Sequence, residues 1–151
     1  MIQFATLLKP SCAAVGIDAA DKEEALAAIT DLLAAGVDAG NAQALLSKVL
    51  AREELASTGI GEGIAIPHAV SSSVPATVMA VARLAKPVDF TAVDGQPVDL
   101  VFLLVGPEGS SGVHLQILSK LARLLHDPSF RDAARSAPDG AALAGLLYAK
   151  D

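Results

Sequence analysis

Helices layered on a β-sheet within one domain is the architecture this sequence predicts, and three features carry it. A chain of 151 residues is long enough for one well-filled core. That core must be built from Leu, Val, Ile and Ala, because there is no Trp, one Tyr and only four Phe, a palette that suits helices packed on a sheet. Helical and strand-like hydrophobic patterns also alternate along the chain, which leaves only the order of strand pairing open.

The N-terminal stretch MIQFATLLKPSCAA places its one lysine after the apolar residues and a proline where a signal core should continue, so it does not read as an export signal. DKEEALAAITDLLAAG is the first clear helix. Asp21 is the cap, Glu24 follows three residues later, Leu26, Ile29, Leu32 and Leu33 share a face, and Gly36 is the stop. A second helix starts at Asn41, sets Leu45, Leu46, Val49 and Leu50 at helical spacing, and weakens near Ser57, with Arg52 in its last turns. A glycine loop then leads into IAIP, a short strand. Pro67 cannot donate to a ladder, so this strand ends there or lies on a sheet edge.

TVMAVARL and VDLVFLLV read as two further strands, the first partly alternating and the second a buried apolar run, with VDGQP as the turn between them. After Val105 the loop GPEGSSG precedes an amphipathic helix through Leu115, Leu118, Leu121, Ala122 and Leu125. His114 lies in its first turn and His126 at its far end. Asp127 and Pro128 read as the cap and first residue of a short helix ending near Ala137, and a last helix after Asp139 carries Leu143, Leu146 and Leu147.

A formal net charge of -6 argues against a general affinity for nucleic acid or anionic membranes, which require clustered Lys and Arg. The longest strongly apolar run, Leu100 to Val105, is far too short to span a bilayer, so direct membrane insertion is not expected. Cys12 is the only cysteine, which excludes an intrachain disulfide, fits a reducing cytoplasm, and reads as a small apolar filler.

STGIGEGIAIPHAV carries the chemistry. Gly59, Gly61 and Gly63 run G-x-G-x-G between a helix and a strand, whereas a dinucleotide fingerprint runs G-x-G-x-x-G between a strand and a helix, and a P-loop needs Gly-Lys-Ser/Thr. What these glycines do offer is close backbone approach or positive φ just before His68, and Pro67 then limits backbone freedom. The imidazole is open to four uses: nucleophile, general base, metal ligand or packed side chain. His114, expected at a helix N-terminus, is badly placed for a cation but well placed for a neutral ring that donates to an anion. Arg52 supplies the permanent charge that phosphate contacts use. A zinc site would need His68, His114 and a carboxylate to converge, with neither H-x-x-x-H nor H-x-H present. No G-x-S-x-G elbow marks a serine hydrolase, and His126 suits a helix C-terminus as a partly protonated ring.

REELASTGIGEGIAIPHA, then DGQPVDLVFLLVGPEG, then HLQILSKLARLL together resemble the fructose/mannitol-type enzyme IIA domain of the bacterial phosphoenolpyruvate-dependent phosphotransferase system, a family that includes the nitrogen-regulatory enzyme IIA proteins. The resemblance covers nearly the whole chain. It implies a mixed β-sheet flanked by helices on both faces, no cofactor, and a histidine that accepts a phosphoryl group from HPr or its nitrogen-branch homologue. That group passes to a cysteine of an enzyme IIB, while a regulatory member acts on target proteins. Carried over by motif, His68 matches the phosphorylated histidine, His114 the second active-site histidine, Arg52 the arginine of the RE pair, and Glu62 a glutamate of the sugar-type members. Ala69 stands where those members usually have glycine, a strained exchange only if the position requires positive φ.

Overall fold

Side chains that cap the helices set their starts. Asp21 accepts from the backbone N–H of Glu24 at 2.9 Å, and Asn41, Asp127 and Asp139 accept from Gln43, Ser129 and Ala142 at 2.8, 2.9 and 2.8 Å. The computed structural model describes residues 2–151. It contains α1 (Phe4–Leu7), β1 (Leu8–Ile17), α2 (Lys22–Gly36), α3 (Ala42–Leu55), β2 (Gly59–Gly61), β3 (Ile64–Ala65) and β4 (His68–Val70), then β5 (Val78–Val88), β6 (Val98–Gly106), α4 (Ser111–Leu125), α5 (Pro128–Ser136) and α6 (Gly140–Tyr148).

The strands form one mixed sheet in the order β1-β5-β6-β3-β2, with β4 also on β6. β5 and β6 are antiparallel, as are β2 and β3, whereas β1 runs parallel to β5, and β3 and β4 run parallel to β6. Along β6 every residue except Asp99 is buried, which requires cover on both faces of the sheet. α2 packs on β1 and β5, α6 on β1, and α3 on β4. One contiguous core runs from Phe4 to Leu147, with Cys12 fully buried in it against Gly36, in keeping with a small apolar filler.

Three local features differ from what the sequence predicts. The first is β1, which no alternation announces. It is the outermost strand, holds Pro10, and its pairing with β5 shifts register between Leu8 and Ala13 and again between Ala14 and Ile17. Those irregularities are what an edge strand containing proline tolerates.

Second, the glycine loop is a tight hairpin. β2 and β3 pair antiparallel around Glu62 and Gly63, at φ 58° and 77°, both in the positive region that a two-residue hairpin turn of the primed type requires. A Cβ on Gly63 would also stand 2.5 Å from Arg135 Nη2 and 3.1 Å from Asp99 Oδ1, so close approach and positive φ coincide there.

Third, pairing does not stop at Pro67. Ile64 faces Leu100, Ala65 faces Val101, and the same register resumes with His68 on Leu104 and Ala69 on Val105. The Pro67 carbonyl still accepts from Leu104 N at 3.0 Å; only the N–H contribution is missing. β3, which ends at Ala65, lies between β6 and β2, and among the described residues β4 pairs with β6 alone, so the sheet edge begins only after Pro67.

Candidate functional site

α3 delivers Arg52 to the site in its last turn, where Nη1 caps the helix end by donating to Ala56 O at 3.3 Å. From there Arg52 Nε donates to His68 Nε2 at 3.1 Å, while the other ring nitrogen, Nδ1, lies 3.1 Å from Ile66 O. These partners fix the tautomer. A carbonyl can only accept and a guanidinium can only donate, so His68 carries its proton on Nδ1 and its unprotonated Nε2 accepts from Arg52. The arrangement follows from β4 continuing β3 past Pro67, which sets the ring beside its own strand's carbonyl.

α4 brings His114 to the same place. The two rings meet edge to face with centroids 6.3 Å apart and planes at 83°. His114 is buried, and its pKa lies below the ordinary histidine value of 6.5, first because burial disfavours the imidazolium and second because His68 is near. At neutral pH it is therefore an uncharged ring at a helix N-terminus. Arg52, His68 and His114 line a cavity of about 850 Å³ whose remaining walls include Leu55, Val70, Leu115 and Leu118. Leu55 and Leu115 are 80% and 68% exposed, an apolar rim around a cationic and imidazole floor.

The depressed pKa has a consequence for stability. Where the folded value lies below the unfolded one, the unfolded chain binds the extra proton first as pH falls, so this contribution is present above about pH 6.5 and is lost below it. Melting curves from about pH 7 to about pH 5 should show Tm falling in the native protein, with a shallower fall in His114→Gln.

Glu62 is not brought to this cluster. It sits at the hairpin tip, its backbone N–H donating to Asp94 Oδ2 at 3.0 Å and its mostly exposed carboxylate 3.9 Å from Arg131 Nη2. The register on β6 puts His68 four residues beyond Ile64, roughly 13 Å along the strand. Glu62 lines a separate cavity of about 620 Å³ with Arg131 and His126, and His126 itself is the exposed C-cap of α4.

The family profile described as "Phosphoenolpyruvate-dependent sugar phosphotransferase system, EIIA 2" matches residues 6–150. The chain belongs to this EIIA family. It is 41% identical over 143 residues to a nitrogen regulatory protein of Pseudomonas aeruginosa, covering 95% of this chain and 93% of that one. It is 43% identical over 112 residues to a fructose-specific EIIA component of the phosphotransferase system of Haloferax volcanii, covering 72% and 71%. The crystal structure of nitrogen regulatory protein IIA-Ntr from Neisseria meningitidis superposes with a TM-score of 0.84 at 32% identity, covering 94% of this chain and 97% of that one.

Within this EIIA fold the alanine after His68 is unstrained. Among the described residues the positive-φ ones other than glycine are Glu62 and Thr91, and Ala69 pairs with Val105 as ordinary strand.

Sequence reasoning overlooked Glu53. Beside Arg52 on α3, it is buried, accepts from Thr58 N and Thr58 Oγ1 at 2.8 and 2.5 Å, and pairs with Lys22 Nζ at 2.7 Å. Lys22 also donates to Phe90 O at 3.2 Å and lies over the Phe90 ring. This EIIA network ties α2, α3 and the strand leading to the hairpin to one carboxylate. The signal was available, because Leu45, Val49 and Glu53 recur every four residues and make Glu53 part of the buried stripe.

Proposed function

We propose that the protein is a phosphocarrier whose His68 Nε2 accepts a phosphoryl group from a donor protein and hands it on. The observation that carries this reading is the fixed tautomer: Ile66 O holds the proton on Nδ1, so Nε2 presents a lone pair to the cavity side. In-line attack forms the Nε2–P bond as the bond to the donor breaks. Arg52, already at Nε2, must first turn its guanidinium onto the incoming phosphoryl oxygens, which frees the lone pair for that attack and exchanges it for an anion that suits the fork of donors. Phosphoryl transfer asks the protein mainly for positioning and charge stabilisation, and neutral His114 adds a donor without adding a charge.

HPr or its nitrogen-branch homologue is the expected donor, and the cysteine of an enzyme IIB the expected acceptor. Incubation with phosphoenolpyruvate, enzyme I and HPr or that homologue should give one acid-labile phosphoryl adduct by intact mass; no adduct with either donor would end this reading. The exposed Leu55, Val70 and Leu115 surround the cavity and offer the apolar contact such a donor needs. Leu115→Asp should therefore lower kcat/KM for the donor protein by about tenfold, mainly through KM, with Tm unchanged.

A second reading is a regulator in the nitrogen branch, whose phosphorylation state controls what it binds. It is favoured by the 41% identity that extends over 93% of the Pseudomonas nitrogen regulatory protein. Transfer onward to an enzyme IIB distinguishes the two, because a carrier for uptake must support it and a regulator need not.

A further inference from the structure

α3 stops without a backbone closure. Among the described residues, the N–H of its C-cap residue Ala56 makes no backbone hydrogen bond, whereas the C-cap residues of α2, α4 and α6 each bond back to their own helix. Two neighbouring side chains hold that end instead. Arg52 Nη1 donates to Ala56 O, and Glu53 accepts Thr58 N on Oε2 and Thr58 Oγ1 on Oε1.

Both side chains lead to His68. On one route Arg52 Nε reaches His68 Nε2 directly. On the other, Thr58 O accepts from Ile66 N at 3.0 Å, and Ile66 O accepts from His68 Nδ1 at 3.1 Å. The two routes start from adjacent residues of one helical turn and end on the two nitrogens of one ring. Together they close a circuit through Arg52, His68, Ile66, Thr58 and Glu53, with Glu53 as its buried anchor. Lys22 Nζ steadies that anchor at 2.7 Å, and its other hydrogen-bond partner, Phe90 O, lies outside the circuit.

We propose that Glu53 is a positioning residue for phosphoryl transfer, one that sets through Thr58 and Ile66 where the His68 ring stands against Arg52. The proposal rests on the phosphocarrier reading, because attack by His68 is what makes its placement matter. Each carboxylate oxygen takes one Thr58 donor, so Thr58 is held at two points rather than left to pivot about one. That fixes the direction of the Thr58 carbonyl and with it the segment that carries Ile66 O. Because Ile66 O also keeps the proton on Nδ1, movement of this segment would loosen the tautomer along with the position. In-line transfer tolerates little of either: a misplacement of about 1 Å caused far from the chemistry can cost about a hundredfold in rate.

The test separates position from stability. Phosphoryl transfer from HPr or its nitrogen-branch homologue, and nitrogen NMR of the His68 ring, are measured in the native protein, Glu53→Ala, Glu53→Gln and Leu147→Ala, well below every Tm. Gln keeps an acceptor for Thr58 N–H and offers an amide N–H to Thr58 Oγ1, so it preserves the circuit while leaving Lys22 without its counter-charge. Leu147, fully buried on α6, serves as a loss of stability that does not touch the circuit. In Glu53→Ala, kcat should fall about tenfold to about a hundredfold with KM for the donor little changed, and the His68 ring should no longer be uniformly Nδ1–H. Glu53→Gln should transfer near the native rate despite a lowered Tm, and so should Leu147→Ala. Should Glu53→Ala fail to fold, Thr58→Val keeps the Lys22 pair, cuts one of the two links, and must show the same slower kcat and loosened ring. A native kcat with an unmoved ring in the variant that cuts the circuit would overturn the proposal. So would a Glu53→Gln as slow as Glu53→Ala, or a Leu147→Ala slowed as much. Failure of the native protein to accept a phosphoryl group from either donor would instead sink the carrier reading, and the His68 ring would still decide the role of Glu53.

Discussion

Replacing His68 with Gln should lower phosphoryl acceptance by at least about a thousandfold, leaving no adduct by intact mass. Gln places an amide near the position of Nε2, so Arg52 and the strand keep a polar partner, but no lone pair of an imidazole remains to attack phosphorus. The fold should survive, because His68 is only half-buried and its strand is held by backbone pairing with Leu104. A normal melting curve with no adduct is the expected pair of results. Full acceptance by the variant would mean that the phosphoryl group goes elsewhere, and His114 would then have to be tested as its site.

The largest loss of stability is expected from Glu53→Ala. That carboxylate is buried, and removing it strands both the Lys22 ammonium and the Thr58 N–H. Breaking a buried ion pair from one side costs about 3–5 kcal/mol, and because Lys22 is partly exposed the low end applies, about 3 kcal/mol. For a chain of this size that is a fall in Tm of about 8 °C. Adding Lys22→Met should recover part of it, since much of the penalty is the uncompensated cation. Thermal melts of the single and double variants decide this: a Glu53→Ala Tm within a degree of native would show that the network contributes little.

Much of this fold is legible in the sequence where local chemistry is strong. Asp21, Asn41, Asp127 and Asp139 each announce a helix, and each is found capping one, because a short polar side chain before an apolar stripe has little else to do. β6 is legible for the opposite reason, as an apolar run that can only be interior. β1 is hidden because Lys9, Pro10 and Ser11 interrupt it, and its stability comes from pairing with β5 rather than from its own pattern. The hairpin around Glu62 is hidden because two strands of three and two residues lie below the length at which alternation can be read. At the site, the Pro-His motif points to His68, and Arg52 and His114 join it in space, while the register on β6 carries Glu62 away. The circuit from Glu53 to His68 could not be read at all, since it runs through the backbone groups of Thr58 and Ile66, which carry no side-chain signature.

His68 stands on the first residue of a strand segment in register with β6, and that has a kinetic consequence. A nucleophile on a loop could swing from one partner to another, whereas this one is aimed by the sheet in a single direction. On the proposed chemistry, donor and acceptor must then compete for one landing place and occupy it in turn. Excess donor would inhibit onward delivery by crowding out the acceptor, and the residence time of the departing partner, not bond-making at phosphorus, would set the throughput.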